Sequence, residues 1–453
     1  MAAFPPRLTV FAVVCSLLAA ACSAPVDTPP AAAGDPGPDA ARYHVDLRAT
    51  RGGAEWTGTG SISFRNATGA PVSRIWLRLW ANGVQGCRPR AVRIAGVEGG
   101  RVGEVRRACT AVAIDLDEPV DTGDRAAVAF SLTIRVPERN DRFGRHGGIT
   151  LVGGALPILA VRDAAGWHLD PYVDLGESFY SLVSRYRVSL DVPERLRTAA
   201  TGRVDRAQRY GDRVRRWYTA DGVREFAFAA ARFDRITGKA GGTRISVWFH
   251  PLVTTERQAD RMLADARESM ATFSEAFGPY HGPEVDLVAT AFTTFGGMEY
   301  PQIVFSNPDR LTVAHELAHQ WWWGIVGNDQ YAEPWLDESL ATWSMRLPFS
   351  PWKSCNGYDW PRAQTRLTND MGYWRDHPAE YGTIYAGGGC MLAALADEMG
   401  VDAVVRALAD HVAANRLGVT DGEEFRATVE AVAATEAPGL DMTAFWDEWR
   451  ATG

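Results

Sequence analysis

The stretch His315-Glu316-Leu317-Ala318-His319 carries the densest chemistry in the chain. On an α-helix, residues four apart return to one face, so both imidazoles can reach a single ion, and Glu316 lies about 100° further round. A carboxylate there stands beside a metal rather than on it, where it can accept a proton from an attacking water. Leu311, Val313, Ala314, Leu317, Ala318 and Trp321 to Trp323 make the segment apolar enough to be buried, which argues against two solvent-facing histidines on a surface helix.

A catalytic zinc takes three protein ligands and keeps a fourth position open. Gln320-Trp321-Trp322-Trp323-Gly324 follows His319, so the pattern in which a glycine and a third histidine come directly after is excluded. Instead Trp335-Leu336-Asp337-Glu338 follows, with 18 residues between His319 and Glu338. A turn through Val326-Gly327-Asn328-Asp329 and a second helix after Pro334 bring Glu338 back to the metal. His315, His319 and Glu338 are therefore the expected ligands of one Zn2+ per chain. Asp337 and Asn328 could orient those ligands from behind or lie at the surface, and the three tryptophans read as core.

HELAHQWWWG, followed at this spacing by the glutamate of WLDE, closely resembles the membrane alanyl aminopeptidase (aminopeptidase N) family of gluzincin metallopeptidases. Upstream, Gly296-Gly297-Met298-Glu299-Tyr300 resembles the family's G-x-M-E-N loop, with Tyr300 in place of the asparagine. Downstream, Tyr385-Ala386-Gly387-Gly388 resembles its Y-x-K-G segment, with Gly387 in place of the lysine. The β-rich first half is similar to the family's N-terminal saddle, notably around Trp167 to Pro193.

The resemblance implies an exopeptidase that takes peptides with a free N-terminus. Glu316 would be the general base, and Tyr385 would help stabilise the oxyanion. Glu299 would pair with the substrate amine. Gly296, Gly297 and Met298 would run beside the substrate backbone, the glycines letting it approach closely. Glu177 occupies the region from which the family's first domain supplies a second amine-binding residue. No counterpart of the longer members' helical C-terminal domain follows Trp446-Asp447-Glu448-Trp449, which implies a more open cleft or one that a dimer covers. Competing readings are a zinc endopeptidase or other hydrolase on the same site, and a catalytically idle binding lipoprotein.

The elements around these residues divide the chain. From Tyr43 to about Arg235 the pattern alternates, as in Ser61 to Phe64, Ile75 to Trp80, Ala127 to Ile134 and Tyr186 to Val192, with turns such as Asn66-Ala67-Thr68-Gly69 between. Residues 256–277 place Met262, Leu263, Ala266, Met270 and Phe273 on one helical stripe, closed by Gly278-Pro279. Further helices are expected around 309–325, 335–346, 384–399 and 401–415. The fold class is α+β: an all-β saddle or sandwich domain over 41–236, then a mainly helical, thermolysin-like zinc peptidase domain over 237–453.

The N-terminus reads as an export signal. Arg7 precedes an apolar stretch from Leu8 to Ala21, too short to span a bilayer, and Ala20-Ala21-Cys22 resembles a bacterial lipobox. Cys22 is thus the expected lipidation site, at the end of a 1–22 signal. Residues 23–40, rich in Pro, Ala and Gly, form a flexible tether. The protein is expected on the outer face of the cytoplasmic membrane, or secreted if cleaved without lipidation. Outside the cytoplasm, the remaining Cys87, Cys109, Cys355 and Cys390 suggest two disulfides, and proximity favours Cys87–Cys109 and Cys355–Cys390.

Composition agrees with this. Among 453 residues, 46% are hydrophobic, which excludes a mainly disordered chain, and no apolar run is long enough for a multispanning membrane protein. A net charge of −8 makes non-specific nucleic-acid binding a poor fit.

Overall fold

Alternation in the first half folds into strands whose apolar side faces inward. Along Arg42–Thr50, Tyr43, Val45, Leu47 and Ala49 are buried while His44 and Arg48 face solvent. The computed structural model describes Met1 and residues 40–452, apart from 88, 351, 353, 354 and 356. The export signal, Cys22 and the tether up to residue 39 lie outside the described residues.

The largest sheet has seven strands, in the order Arg203–Tyr210, Arg213–Val223, Ser184–Pro193, Arg42–Thr50, Glu55–Arg65, Arg125–Arg135 and Val92–Glu98. Arg42–Thr50 and Ser184–Pro193 run parallel with Val45 opposite Val188, and the other neighbours are antiparallel. The short pair Arg162–Asp163 and Gly166–Trp167 and two four-stranded sheets complete the β-rich half. One contains Val72–Arg78 and Ala111–Val120; the other joins Phe143–His146 and Ile149–Val152 to Phe228–Ala231 and Arg197–Ala200. The disulfide Cys87–Cys109 lies in this half.

The second half is mainly helical around a five-stranded sheet, so the chain is α+β overall. Asp234–Ala240, Thr243–Phe249, Glu284–Ala289, Ile303–Ser306 and the short edge strand Gly297–Met298 follow one another in that sheet. The strand Asp234–Ala240 runs across the position where the sequence suggested a domain boundary, and the whole described body from residue 40 onward lies in one compact unit. A shared apolar cluster welds the halves: Ile149, Leu151 and Ala229 pack with Met298, Tyr300 and Phe305.

The helix Glu256–Phe277 has the limits its stripe and terminal glycine imply. It starts at a capping box between Thr255 and Gln258 and stops at Gly278, whose φ of 91° only glycine tolerates readily. Pro334–Ser344, Thr383–Met399 and Val401–Ala414 are also helical. Residues 309–325 are not one helix. Arg310–Ala318 ends at His319, and Gly324, Ile325 and Val326 donate backbone hydrogen bonds five residues back, to His319, Gln320 and Trp321. The chain folds back because Gly324 has no Cβ to meet the Gln320 carbonyl, 2.6 Å from where one would stand. Trp323, at φ 104°, turns into a cluster with Trp80, Ile158 and Phe179. The disulfide Cys355–Cys390 ties the segment after residue 350 to the helix Thr383–Met399.

Candidate metal centre and active site

Asp309 starts the Arg310–Ala318 helix by accepting from the backbone N–H groups of Leu311 and Thr312. One turn later His315 and His319 stand four residues apart with their Nε2 atoms 3.2 Å from each other. The Pro334–Ser344 helix lies against them and presents Glu338, whose Oε2 is 3.2 Å from His315 Nε2 and 3.4 Å from His319 Nε2. Four ligands around one ion at roughly 2.0–2.1 Å have mutual separations of about 3.3 Å, so these three atoms fit a single tetrahedral zinc. His319 is fixed for that role because its Nδ1 lies 2.9 Å from the Trp322 carbonyl, leaving Nε2 for the metal.

Asp337, the chain neighbour of Glu338, is itself held in place. Asn328 Nδ2 and Gln330 Nε2 donate to the two carboxylate oxygens of Asp337, at 3.1 and 2.7 Å, and all three residues are buried. Asp337 and Asn328 are thus interior supports rather than surface residues. Tyr385 O–H donates to Glu338 Oε1 at 3.0 Å, which places the phenol at the metal ligands. Tyr381, the neighbouring alternative, packs 5.7 Å from the Tyr385 ring and lines the same cavity.

Glu316 lines the same cavity as the three ligands and lies over the main chain of Gly297. A Cβ at Gly297 would be 2.5 Å from the Glu316 carboxyl carbon, and one at Gly296 would be 2.9 Å from the Thr312 methyl. The glycines thus make room for the chain's own helix, where their types had suggested close approach by substrate. Gln320 holds the same loop: its Nε2 donates to the Tyr300 carbonyl at 3.2 Å and its Oε1 accepts from Gln302 N–H at 2.8 Å. The Tyr300 side chain is buried among apolar residues.

These groups border a cavity of about 500 Å³ that also exposes Glu177 and Glu299. Burial, then Glu177, carries the Glu299 carboxyl up to about 8; burial, then Glu299, raises Glu316 well above the usual carboxylate range. Burial alone would raise Glu338 too, but the charge of His319 and the hydrogen bond from His315 hold it low. Four carboxyl groups crowd one cavity, and their burial and mutual repulsion disfavour ionisation of Glu299 and Glu316, a strain that a cation in the cavity would relieve.

The sequence profile described as the peptidase family M1 domain matches residues 262–449. Residues 262–449 are thus similar to the catalytic domain of M1 metallopeptidases. Over 182 residues it is 27% identical to aminopeptidase M1-B of Oryza sativa subsp. japonica, covering 35% of this chain and 21% of that protein. Over 114 residues it is 31% identical to aminopeptidase B of Mus musculus, covering 23% of this chain and 17% of that protein. The match thus spans about a fifth of those relatives' length. A crystal structure of an M1 zinc metallopeptidase mutant from Deinococcus radiodurans, bound to a Tyr-Ser-Ala substrate, superposes with a TM-score of 0.65 at 17% identity, covering 91% of this chain and 94% of that one. That likeness shows a shared fold. M1 peptidases use zinc, and His315, His319 and Glu338 are the set that fits it here.

The structure brings together His315, Glu316, His319, Glu338, Glu299, Tyr385, Gly296, Gly297 and Met298 around one cavity. It brings Glu177 there as well, from the β-rich half. Three contributors escaped the sequence reading: Gln320, Gln330 and Arg142. Gln320 directly follows the second histidine and Gln330 follows Asn328-Asp329, so proximity to motifs was a usable signal for both. Arg142 lies far from every motif and had none.

Proposed function

We propose that this protein is a zinc aminopeptidase that removes the first residue from peptides with a free N-terminus. The observation that carries this reading is the convergence of Glu177 and Glu299 on the cavity that holds the His315, His319 and Glu338 set. Two buried carboxylates beside a peptidase metal centre favour a substrate that brings an ammonium, and they set that ammonium one residue away from the scissile bond.

The bound zinc would polarise the scissile carbonyl and make water acidic enough to attack at neutral pH. Glu316, buried and raised, accepts the proton of that water and returns it to the leaving amine. The Tyr385 hydroxyl, already at the metal ligands, donates to the oxygen that becomes negative on attack. Glu299 and Glu177 fix the amine, and the edge strand Gly297–Met298 offers its free backbone side to the peptide.

The test is release of fluorophore from a panel of aminoacyl amides, with and without a zinc chelator, beside Glu316→Gln. Chelator-sensitive release that vanishes in Glu316→Gln and on N-acetylated reporters supports the aminopeptidase. Cleavage of N-acetylated peptides instead identifies an endopeptidase, and bound zinc with no turnover on either substrate class identifies a binding protein.

The N-terminal residues support a companion reading: Cys22 is lipidated and the body is held at the outer face of the cytoplasmic membrane. Metabolic labelling with a tagged fatty acid tests it, since label should appear in the wild type and disappear in Cys22→Ala.

A further inference from the structure

The cavity that carries four carboxylates has one arginine in its wall and no lysine among the described residues, and that arginine is Arg142. Its Nη1 lies 2.6 Å from Glu177 Oε1, with the two side chains only 9% and 6% exposed. The remaining charges felt by Glu177 are mainly acidic, those of Glu338 and Asp337, and Arg142 is the cation that opposes them.

Arg142 is itself held on both sides. Its backbone N–H donates to Asp141 Oδ1 and its carbonyl accepts from Gly153 N–H, at 2.6 and 3.1 Å. The next residue, Phe143, is fully buried and opens the strand Phe143–His146. The guanidinium sits 5.8 Å from the rings of Phe179 and of Phe295. Phe179 is two residues beyond Glu177, and Phe295 opens the loop that carries Glu299. Arg142 therefore stands between the two segments that bring the carboxylates from opposite halves of the chain. Its Nε lies 4.0 Å from Asp141 Oδ1, while Nη1 makes the closer ion pair with Glu177, a charge contact without the angles of a hydrogen bond, so charge and packing let this arginine and glutamate place one another.

We propose that Arg142 is a positioning residue for amine recognition: it holds Glu177 so that its carboxylate, together with that of Glu299, receives the ammonium of the substrate. The inference rests on the aminopeptidase reading and adds to it the part that sets one carboxylate against the other. Without Arg142, Glu177 is a buried acid among acids and turns away from its neighbours, and the ammonium loses one of its two partners.

The test compares two zinc-binding probes that differ only in the amine, leucine hydroxamate and 4-methylpentanohydroxamate, on the full-length zinc-loaded protein. In Arg142→Gln the amine-bearing probe should bind about tenfold to a hundredfold more weakly, the span of a lost hydrogen bond to a charged group, while the desamino probe changes less than about twofold. KM for an aminoacyl amide should rise more than kcat falls. Arg142→Lys, which keeps the charge but not the fork, should recover part of the selectivity, and it carries the test if Arg142→Gln does not fold. Unchanged selectivity for the amine in both variants overturns the inference. So does equal weakening of both probes, which would mark Arg142 as a support of the cavity wall only. A wild-type protein that does not distinguish the probes removes the aminopeptidase reading and the inference with it.

Discussion

Gly297 and Glu316 share one space: the position a Cβ would take on Gly297 lies 2.5 Å from the carboxyl carbon of Glu316. The edge strand of the five-stranded sheet and the metal-binding helix thus meet through a residue that has no side chain, and the carboxylate rests on bare backbone. Gly297→Ala should push Glu316 out of line with the attacking water while leaving His315, His319 and Glu338 in place. A displacement of about 1 Å at a reacting group commonly costs on the order of a hundredfold. The expected result is a kcat about a hundredfold lower at unchanged zinc content, measured by steady-state kinetics and elemental analysis on the same sample. A fully active Gly297→Ala would show that Glu316 can work from elsewhere.

Asp337 is held by Asn328 and Gln330 directly beside the ligand Glu338, and it is buried. Burial, then Glu338, pushes its carboxyl up to about 7, so those two amides are what keep it oriented. Removing such a support weakens metal affinity by about tenfold to a hundredfold. Gln330→Ala should therefore lose zinc to a competing chelator at a correspondingly lower concentration, with kcat of the fully loaded enzyme reduced much less. Chelator titration followed by the activity remaining measures both.

What could be read in advance was whatever helix periodicity converts into geometry. Four residues between two histidines fix their separation on any helix, and the stripe from Met262 to Phe273 fixes a face. Glu338 was within reach because the loop between its helix and His319 is short. The helix Gly422–Glu436 was passed over, although Asp421 caps it by accepting from Glu424 N–H, a signature visible as an aspartate three residues before a glutamate. The end of the metal-binding helix at Ala318 was hidden, because three tryptophans continue an apolar pattern that the Gly324 fold-back interrupts. Arg142 and Glu177 lie 35 residues apart in irregular segments, and no period relates them; only the packing of Phe179 and Phe295 does.

The disulfide Cys355–Cys390 closes a loop whose ends are 35 residues apart and anchors it on the helix that bears Tyr385. Chain-entropy arguments assign about 3–4 kcal/mol to a cross-link of that span. The double variant Cys355→Ser, Cys390→Ser should melt at a clearly lower temperature and lose part of its kcat as Tyr385 becomes less fixed. Calorimetry checks the first. For the second, kcat is measured well below the new melting point, where a global loss of fold does not contribute.

His281 gives the stability a dependence on pH. It is 7% exposed against the Tyr280 ring, and burial, then the charge of Arg416, lowers its pKa from 6.5 to about 4. In the folded state it stays neutral down to that value, whereas in the unfolded chain it takes a proton as soon as pH falls through 6.5. The unfolded state therefore binds more protons between those limits, and stability declines as pH drops from about 6.5 to about 4, at roughly 1.4 kcal/mol for each pK unit. Below that window the effect of this group no longer grows. His281→Gln has nothing to protonate, so the difference in unfolding free energy between wild type and variant should shrink as pH is lowered from 7 to 4. Urea unfolding at a series of pH values measures it, and parallel curves for the two proteins would show that His281 titrates alike in both states.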